Sequence, residues 1–179
     1  MTLQNPLLAR LRSGDTIGCL WLLLGSTAVT ELAADPAPDA IVFDLQHGLW
    51  DRASLEQAIG LAAARSTPVV RVAENSPFAI STALDAGALG VIVPLVETAE
   101  QAKAAVAAAK FPPAGIRSGG GVRPLKDFKA YGLGANDAIM VSVMIETAAG
   151  VKNAAKIAKV PGVDMVFIGT GDLALSLGT

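Results

Sequence analysis

Six short apolar runs recur along the chain, and segments with apolar residues at helical spacing separate them. The runs cover residues 16–24, 40–44, 69–72, 88–95, 138–145 and 163–168. They follow one another about every 25 residues, except across the glycine-rich segment 114–136, which we expect to be irregular. Strands that alternate with helices predict a parallel sheet with helical crossovers. The two architectures open at this point are a (β/α)8 barrel and a doubly wound sheet.

The barrel is the architecture that we expect. A complete (β/α)8 barrel usually needs about 250 residues, and this chain has 179. About six of the eight βα units are therefore accounted for, in one domain that spans residues 1–179. No change in composition marks a second domain. We expect the barrel to be incomplete at its C-terminal end, which would expose the edges of apolar strands.

Composition excludes several classes of function. A net charge of −2 and a pI near 5.3 provide no electrostatic basis for binding nucleic acid. The single cysteine, Cys19, rules out an internal disulfide and a cysteine-cluster metal site. No apolar run reaches the roughly 18 residues that suggest a membrane span. We therefore expect no membrane partner and, by default, a cytoplasmic location.

Polar residues stand where the apolar runs end. Parallel strands bring such residues together at one rim, where barrel enzymes build their active sites. His47 is the only histidine, and Asp44 lies three residues before it. The hypothesis is a catalytic His47 whose ring Asp44 orients; the alternative is a structural histidine. The polar residues expected at the rim are Ser26, Asp44, His47, Arg71, Glu146 and Asp172.

Glu146 and Asp172 are the candidate metal ligands, since each follows an apolar strand. Carboxylates suit a hard ion such as Mg²⁺ or Mn²⁺, or else Co²⁺. A three-histidine zinc site is impossible with one histidine. The alternative is that both acids only cap the helices that follow them.

Two further features suit a small carboxylate ligand. Gly169-Thr170-Gly171 precedes a predicted helix and offers backbone N–H groups to an anion. Arg71 provides a guanidinium fork for a carboxylate or an oxyanion, with a structural ion pair as the alternative. No lysine ends an apolar run. The pattern therefore favours metal-assisted enolate chemistry over a Schiff base.

Several motifs resemble the HpcH/HpaI family of metal-dependent, class II pyruvate aldolases. They occur in the order and at the spacing of that family, from about residue 18 to the end of the chain. The motifs are Asp44-Leu45-Gln46-His47-Gly48, Pro68-Val69-Val70-Arg71-Val72, Leu84-Asp85-Ala86-Gly87-Ala88, Pro112-Pro113-Ala114-Gly115-Ile116-Arg117, Ile145-Glu146-Thr147 and Phe167-Ile168-Gly169-Thr170-Gly171-Asp172-Leu173.

The resemblance implies a (β/α)8 fold and a hexamer, a trimer of dimers that often exchanges its C-terminal helix. It implies reversible cleavage of 4-hydroxy-2-oxo acids to pyruvate and an aldehyde, an activity of aromatic-compound catabolism. The implied metal ligands are Glu146 and Asp172, with Thr170 and Gly171 beside the substrate. Arg71 would contact the 2-oxo acid, Trp21 would line its pocket, and His47 with Asp44 would manage the C4 hydroxyl proton. Asp85 would approach that pair from a neighbouring subunit.

Three positions depart from the family pattern, and two other functions stay open. Gln46, Met144 and Ser118 differ from the residues expected there, which bears on aldehyde specificity. One alternative function is a related barrel lyase that acts on an acyl-CoA or phosphoenolpyruvate-type substrate, since Arg117, Arg123 and Lys126 would suit CoA. The other is a truncated, non-catalytic scaffold that binds an oxo acid.

Overall fold

Six parallel strands form one sheet in the order in which they occur along the chain. The structure, a computed structural model, describes residues 3–179. Each strand pairs with its sequence neighbour, in the order β1-β2-β3-β4-β5-β6. The strands are β1 (Cys19–Leu22), β2 (Ala40–Asp44), β3 (Thr67–Arg71), β4 (Gly90–Val93), β5 (Met140–Ile145) and β6 (Met165–Ile168). A doubly wound sheet reverses its strand order at a switch point, so this sequential order excludes that alternative.

Helices connect the strands, and most begin at a residue whose side chain caps the first turn. Asn5, Ser26, Asp51, Ser76, Thr98, Asp127 and Thr147 each accept a hydrogen bond from a backbone N–H of the helix that follows. The helices are α1 (Pro6–Ser13), α2 (Thr27–Ala34), α3 (Arg52–Ala62), α4 (Pro77–Asp85), α5 (Ala99–Ala109), α6 (Val122–Leu125), α7 (Phe128–Ala138), α8 (Ala148–Ala158) and α9 (Thr170–Leu177).

Two apolar clusters lie on opposite faces of the sheet. The larger one packs the helices against side chains such as Phe43, Val91 and Ile145. The smaller one lies on the concave face and includes Val42 and Met140. Alternate residues of each strand contribute to the two clusters, because successive side chains of a strand point to opposite faces. The sheet is curled, and its sequential strand order is that of part of a barrel; the eight-unit barrel stays a prediction.

Helix α1 closes the end of the concave face where the strands begin. Leu7 and Leu8 are buried in the smaller cluster. The Asn5 side chain donates to the carbonyl oxygens of Leu89 (2.9 Å) and Ala138 (2.7 Å), just before β4 and β5. The opposite end of the concave face, where the strands finish, is left for a site.

The segment 114–136 is irregular only over residues 114–121, so that expectation was wrong for the remainder. It contains α6 and most of α7. Tyr131, Gly134, Ala135 and Ala138 are buried at helical spacing. Two glycines lower the helix propensity of α7, but packing decides here: a Cβ at Gly134 would lie 2.8 Å from the backbone nitrogen of Leu3. This contact therefore requires glycine at position 134, although glycine weakens the helical pattern in the sequence.

The edge strands are more exposed than the central ones. The residues of β2, β4 and β5 are buried throughout, whereas β1 and β6 contain only exposed or half-buried residues. Leu20 is 39% exposed and Ile168 49%. This agrees with the expectation that six strands leave apolar edges open. Within residues 3–179, no helix is both long and apolar enough to cross a membrane.

Candidate active site at the carboxyl ends of the strands

A pocket of about 470 Å³ lies at the carboxyl ends of the strands. It contains seven of the residues for which the sequence predicted a role: Trp21, His47, Arg71, Glu146, Thr170, Gly171 and Asp172. Met144, Phe167, Ile168 and Gly169 complete its lining. The pocket is large enough for a small organic acid.

Asp44 and Arg71 form a buried ion pair beneath the pocket. They are register partners on β2 and β3, so the sheet itself brings them together. Arg71 Nε donates to Asp44 Oδ1 at 2.9 Å, and Arg71 Nη2 donates to Oδ2. The Asp44 side chain is fully buried, and that of Arg71 is 11% exposed. Arg71 is thus both the structural ion pair considered above and part of the pocket lining.

Other donors complete the environment of Asp44. Its carboxylate accepts hydrogen bonds from Trp21 Nε1 (3.2 Å) and from the backbone N–H groups of Gln46 (2.9 Å) and His47 (3.2 Å). Burial alone would raise the pKa of Asp44. The hydrogen bonds and the charge of Arg71 outweigh burial and lower that pKa below its usual value.

The link between Asp44 and His47 differs from the one that the sequence suggested. The expectation was a contact between the carboxylate and the histidine ring. Instead, among the described residues, Asp44 meets His47 only through the backbone N–H. The reason is competition, because the guanidinium fork of Arg71 is a stronger, charge-assisted partner for the carboxylate. His47 itself is exposed in the turn after β2, and it lines the pocket.

Glu146 is buried, with a backbone donor holding one of its oxygens. It is 2% exposed, and its Oε1 accepts a 2.7 Å hydrogen bond from the N–H of Leu95. Leu95 adopts the left-handed conformation, with φ of 54°, which is unusual for a residue with a branched side chain. Burial raises the pKa of Glu146 and neighbouring Asp172 raises it further, while the Leu95 N–H and Arg71 oppose this rise.

The Gly169-Thr170-Gly171 segment places Asp172 beside Glu146. Asp172 lies in the first turn of α9, on the backbone that leaves β6. Gly169 passes so close to Glu146 that a Cβ there would lie 2.6 Å from Oε2. Glu146 is not the cap of the helix that follows it, since the Thr147 side chain caps α8. The helix-cap alternative therefore fails for Glu146.

The two carboxylates are suitable ligands for a divalent cation. Both line the pocket, and only Oε1 of Glu146 takes the Leu95 hydrogen bond, which leaves Oε2 for an ion. Among residues 3–179, no group of three or more histidine, cysteine, aspartate or glutamate side chains could hold a metal ion. A site with two carboxylates suits a hard cation that keeps positions open for substrate and water.

Besides Asp44, which lies beneath the pocket, two residues that the sequence predicted for the site do not line it. Asp85 ends α4, at the end of the sheet where the strands begin. Its Oδ1 accepts a 2.9 Å hydrogen bond from buried Arg117. It therefore does not join His47 within one chain. Ser26 caps α2 through a 3.3 Å hydrogen bond from the N–H of Val29, which gives it a structural role.

The pocket lining includes no lysine in the described part of the chain. Lys110 is the buried lysine, but its Nζ donates at 2.7 Å to the carbonyl oxygens of Asn136 and Ile139, next to the start of β5. Burial lowers the pKa of Lys110. Its position at the opposite end of the sheet removes it as a Schiff-base candidate.

Sequence reasoning missed Phe167 and Leu95. Phe167 packs against Trp21, with ring centroids 5.4 Å apart; its place two residues before Gly169, on the same face of β6, was the available signal. Leu95 acts through its backbone N–H. No pattern of residues in the sequence predicts that a particular backbone N–H will donate to a site carboxylate.

Sequence comparisons with known proteins find one family model and aldolases that are similar to this chain. A family model described as HpcH/HpaI aldolase/citrate lyase matches residues 18–179. The 2-dehydro-3,6-dideoxy-6-sulfogluconate aldolase of Pseudomonas putida is 40% identical over 88% of this chain and 64% of its own length. The hydroxypyruvate/pyruvate aldolase of Paraburkholderia phytofirmans is 38% identical over 99% of this chain and 72% of its own.

A solved structure agrees. An HpcH/HpaI aldolase/citrate lyase family protein from Burkholderia cenocepacia superposes with a TM-score of 0.92 and 38% identity, over 98% of this chain and 72% of that one. The chain thus spans about two thirds to three quarters of the length of these proteins.

The Asp44–Arg71 pair predicts a pH dependence of stability. Because folding lowers the pKa of Asp44, its stabilising effect is present above the unfolded value of about 3.9 and is lost as the pH falls through the lower, folded value. Urea unfolding should show Asp44→Asn destabilised at neutral pH by roughly 3–5 kcal/mol, the usual result of breaking a buried pair. This difference should shrink below about pH 4.

Asp35→Asn is the matched control. Its pair with Arg65 is more than half exposed on both sides, so the substitution should have little effect at any pH. A difference for Asp44→Asn that stays constant down to about pH 3 would contradict the assignment.

Proposed function

Because the chain belongs to the HpcH/HpaI aldolase/citrate lyase family, we propose that it is a lyase that reversibly cleaves 4-hydroxy-2-oxo acids to pyruvate and an aldehyde. The observation that carries the proposal is one pocket in which a carboxylate pair, an arginine and a histidine meet without a lysine. This set of residues suits enolate chemistry assisted by a divalent cation. It does not suit a Schiff base.

Glu146 and Asp172 would hold the cation, which we propose to be Mg²⁺ or Mn²⁺, or else Co²⁺. Such an ion supplies Lewis-acid polarisation of the 2-oxo group. The Leu95 N–H fixes Glu146 Oε1 and so directs the other oxygen into the pocket. Gly169 lies against that second oxygen, which restricts the carboxylate to one orientation.

Arg71 would bind the 2-oxo acid and stabilise the enolate. Its Nε and Nη2 donate to Asp44, so the N–H groups of Nη1 and the second N–H of Nη2 are left for a ligand. When the C3–C4 bond breaks, its electron pair moves to C3 and forms the enolate of pyruvate. A positive charge fixed beforehand by a buried partner stabilises that developing charge without reorganising.

His47 would act as the general base. It takes the proton of the C4 hydroxyl as C4 becomes the aldehyde carbonyl, and a proton then returns to C3 to give pyruvate. Asp44 would be a positioning residue, since it anchors the turn through the His47 backbone N–H. Trp21, Thr170 and Gly171 line the pocket and would contact the oxo acid.

Asp85 would act only in an assembly. It lies at the end of the sheet away from the pocket within its own chain, so a role beside His47 would require the Asp85 of a neighbouring copy. The hexamer, the exchanged helix, the cytoplasmic location and the place in aromatic catabolism stay predictions. So does the single barrel domain over residues 1–179.

The loop residues give little support to an acyl-CoA substrate. Arg117 is buried against Tyr131 and Asp85, and Arg123 donates to the Glu56 carbonyl on α3. Lys126 lines a separate pocket with Tyr131. These three residues therefore do not form a basic rim at the candidate site.

Pyruvate release tests the function. A panel of 4-hydroxy-2-oxo acids, with a coupled assay for pyruvate, should reveal at least one that the purified protein cleaves. Activity should disappear after treatment with EDTA and return with Mn²⁺. Cleavage that continues undiminished in EDTA would refute the role of the cation, and no cleavage of any member would refute the aldolase.

His47→Ala tests the general base. Loss of a positioned base typically costs about 10²–10⁴-fold in rate, so kcat should fall by that factor. The affinity for pyruvate should change little, because Arg71 and the carboxylate pair remain. An unchanged kcat, with binding intact, would remove His47 from the mechanism.

A further inference from the structure

One wall of the candidate pocket is apolar. Trp21, Met144 and Phe167 form it, while Arg71, His47 and the two carboxylates form the rest. Met144 is only 1% exposed. It precedes Glu146 by two residues, so the two side chains face the same side of the sheet.

Packing holds this wall in place. A Cβ at Gly169 would lie 3.1 Å from Met144 Sδ, so the thioether rests against the backbone that leads to Asp172. The rings of Trp21 and Phe167 are in contact at 5.4 Å. Arg71 lies over the Trp21 ring, with Cζ 5.1 Å from its centroid. Met144 therefore has little freedom to move away from a ligand.

The side chains of the wall offer no free polar partner among the described residues. The indole N–H of Trp21 donates to Asp44, so it is occupied. Ser142 is the next inward-facing residue of β5, but its hydroxyl is fully buried and does not line the pocket. Any ligand atom that meets this wall meets sulfur and carbon.

We propose that Met144 makes the site selective for a 2-oxo acid whose carbon 3 is a methyl group, over one with a hydroxyl on that carbon. The inference rests on the proposed function and specifies its oxo-acid substrate. The carboxylate and keto oxygens of such an acid would be drawn to Arg71 and to the cation that Glu146 and Asp172 would hold. Carbon 3 is then left to face the apolar wall.

A hydroxyl on carbon 3 would lose its hydrogen bonds to water without gaining a protein partner. An unsatisfied buried hydroxyl reduces affinity by about tenfold to a hundredfold. A methyl group at the same place has no such penalty and gains contact with the thioether. Pyruvate should therefore bind at least about tenfold more tightly than 3-hydroxypyruvate.

Calorimetric titration of the purified protein with each acid, in the presence of Mn²⁺, measures this ratio. Met144→Gln keeps the length of the side chain and adds an amide, so it should move the ratio of the two Kd values towards one by about tenfold. Met144→Leu is the matched control, because it changes the shape and stays apolar. It should leave the preference for pyruvate in place.

Equal affinity of the wild-type protein for both acids would overturn the inference. So would the absence of binding by either acid, or equal changes of the ratio in the Gln and Leu variants. Unfolding curves for both variants exclude a loss of fold as the cause.

If the predicted ratio is found but no 4-hydroxy-2-oxo acid is cleaved, the aldolase proposal fails and the role of Met144 stands. If cleavage is found with a ratio near one, the role of Met144 fails and the aldolase proposal stands.

Discussion

The buried pair between Asp44 and Arg71 is the interaction on which the candidate site depends. Desolvating two charges is costly, and a buried pair is tolerated only when its geometry and its additional hydrogen bonds are good. Here the register of β2 and β3 sets the two residues side by side. Trp21 and two backbone N–H groups donate further hydrogen bonds to the Asp44 carboxylate. One carboxylate thereby fixes the arginine, the indole and the turn that carries His47.

A second constraint arises on the other side of the pocket, where like charges approach each other. The pKa of Glu146 is raised by burial and by Asp172, so this pair is electrostatically unfavourable by itself. The Leu95 N–H and the close backbone of Gly169 hold Glu146 in that position regardless. Strained or unfavourable arrangements of this kind concentrate at functional sites. A bound divalent cation would relieve the repulsion between the carboxylates.

The sequence was sufficient for the sheet and for most of the residues in the pocket. Apolar runs and strand-end polar residues are short-range patterns, so β2 has the predicted bounds. Polar residues from four of the five predicted strand ends line one pocket. The sequence was insufficient where tertiary contacts determine whether a helix forms or which partner a side chain binds. Helix α7 forms despite two glycines because one of them allows the N-terminal segment to approach. The Asp44 carboxylate prefers Arg71 to the His47 ring, which depends on a strand register that sequence spacing does not reveal.

The binding of a divalent cation by Glu146 and Asp172 is the central claim, and a Mn²⁺ titration followed by electron paramagnetic resonance tests it most directly. It reports on the ion alone and needs no substrate. Glu146→Gln and Asp172→Asn should each weaken Mn²⁺ binding by at least about tenfold, since each replaces an anionic ligand of a hard cation with a neutral one. The control variant Asp35→Asn, which changes a residue of an exposed ion pair, should bind Mn²⁺ as the wild-type protein does. Unchanged Mn²⁺ affinity in both carboxylate variants would contradict the account.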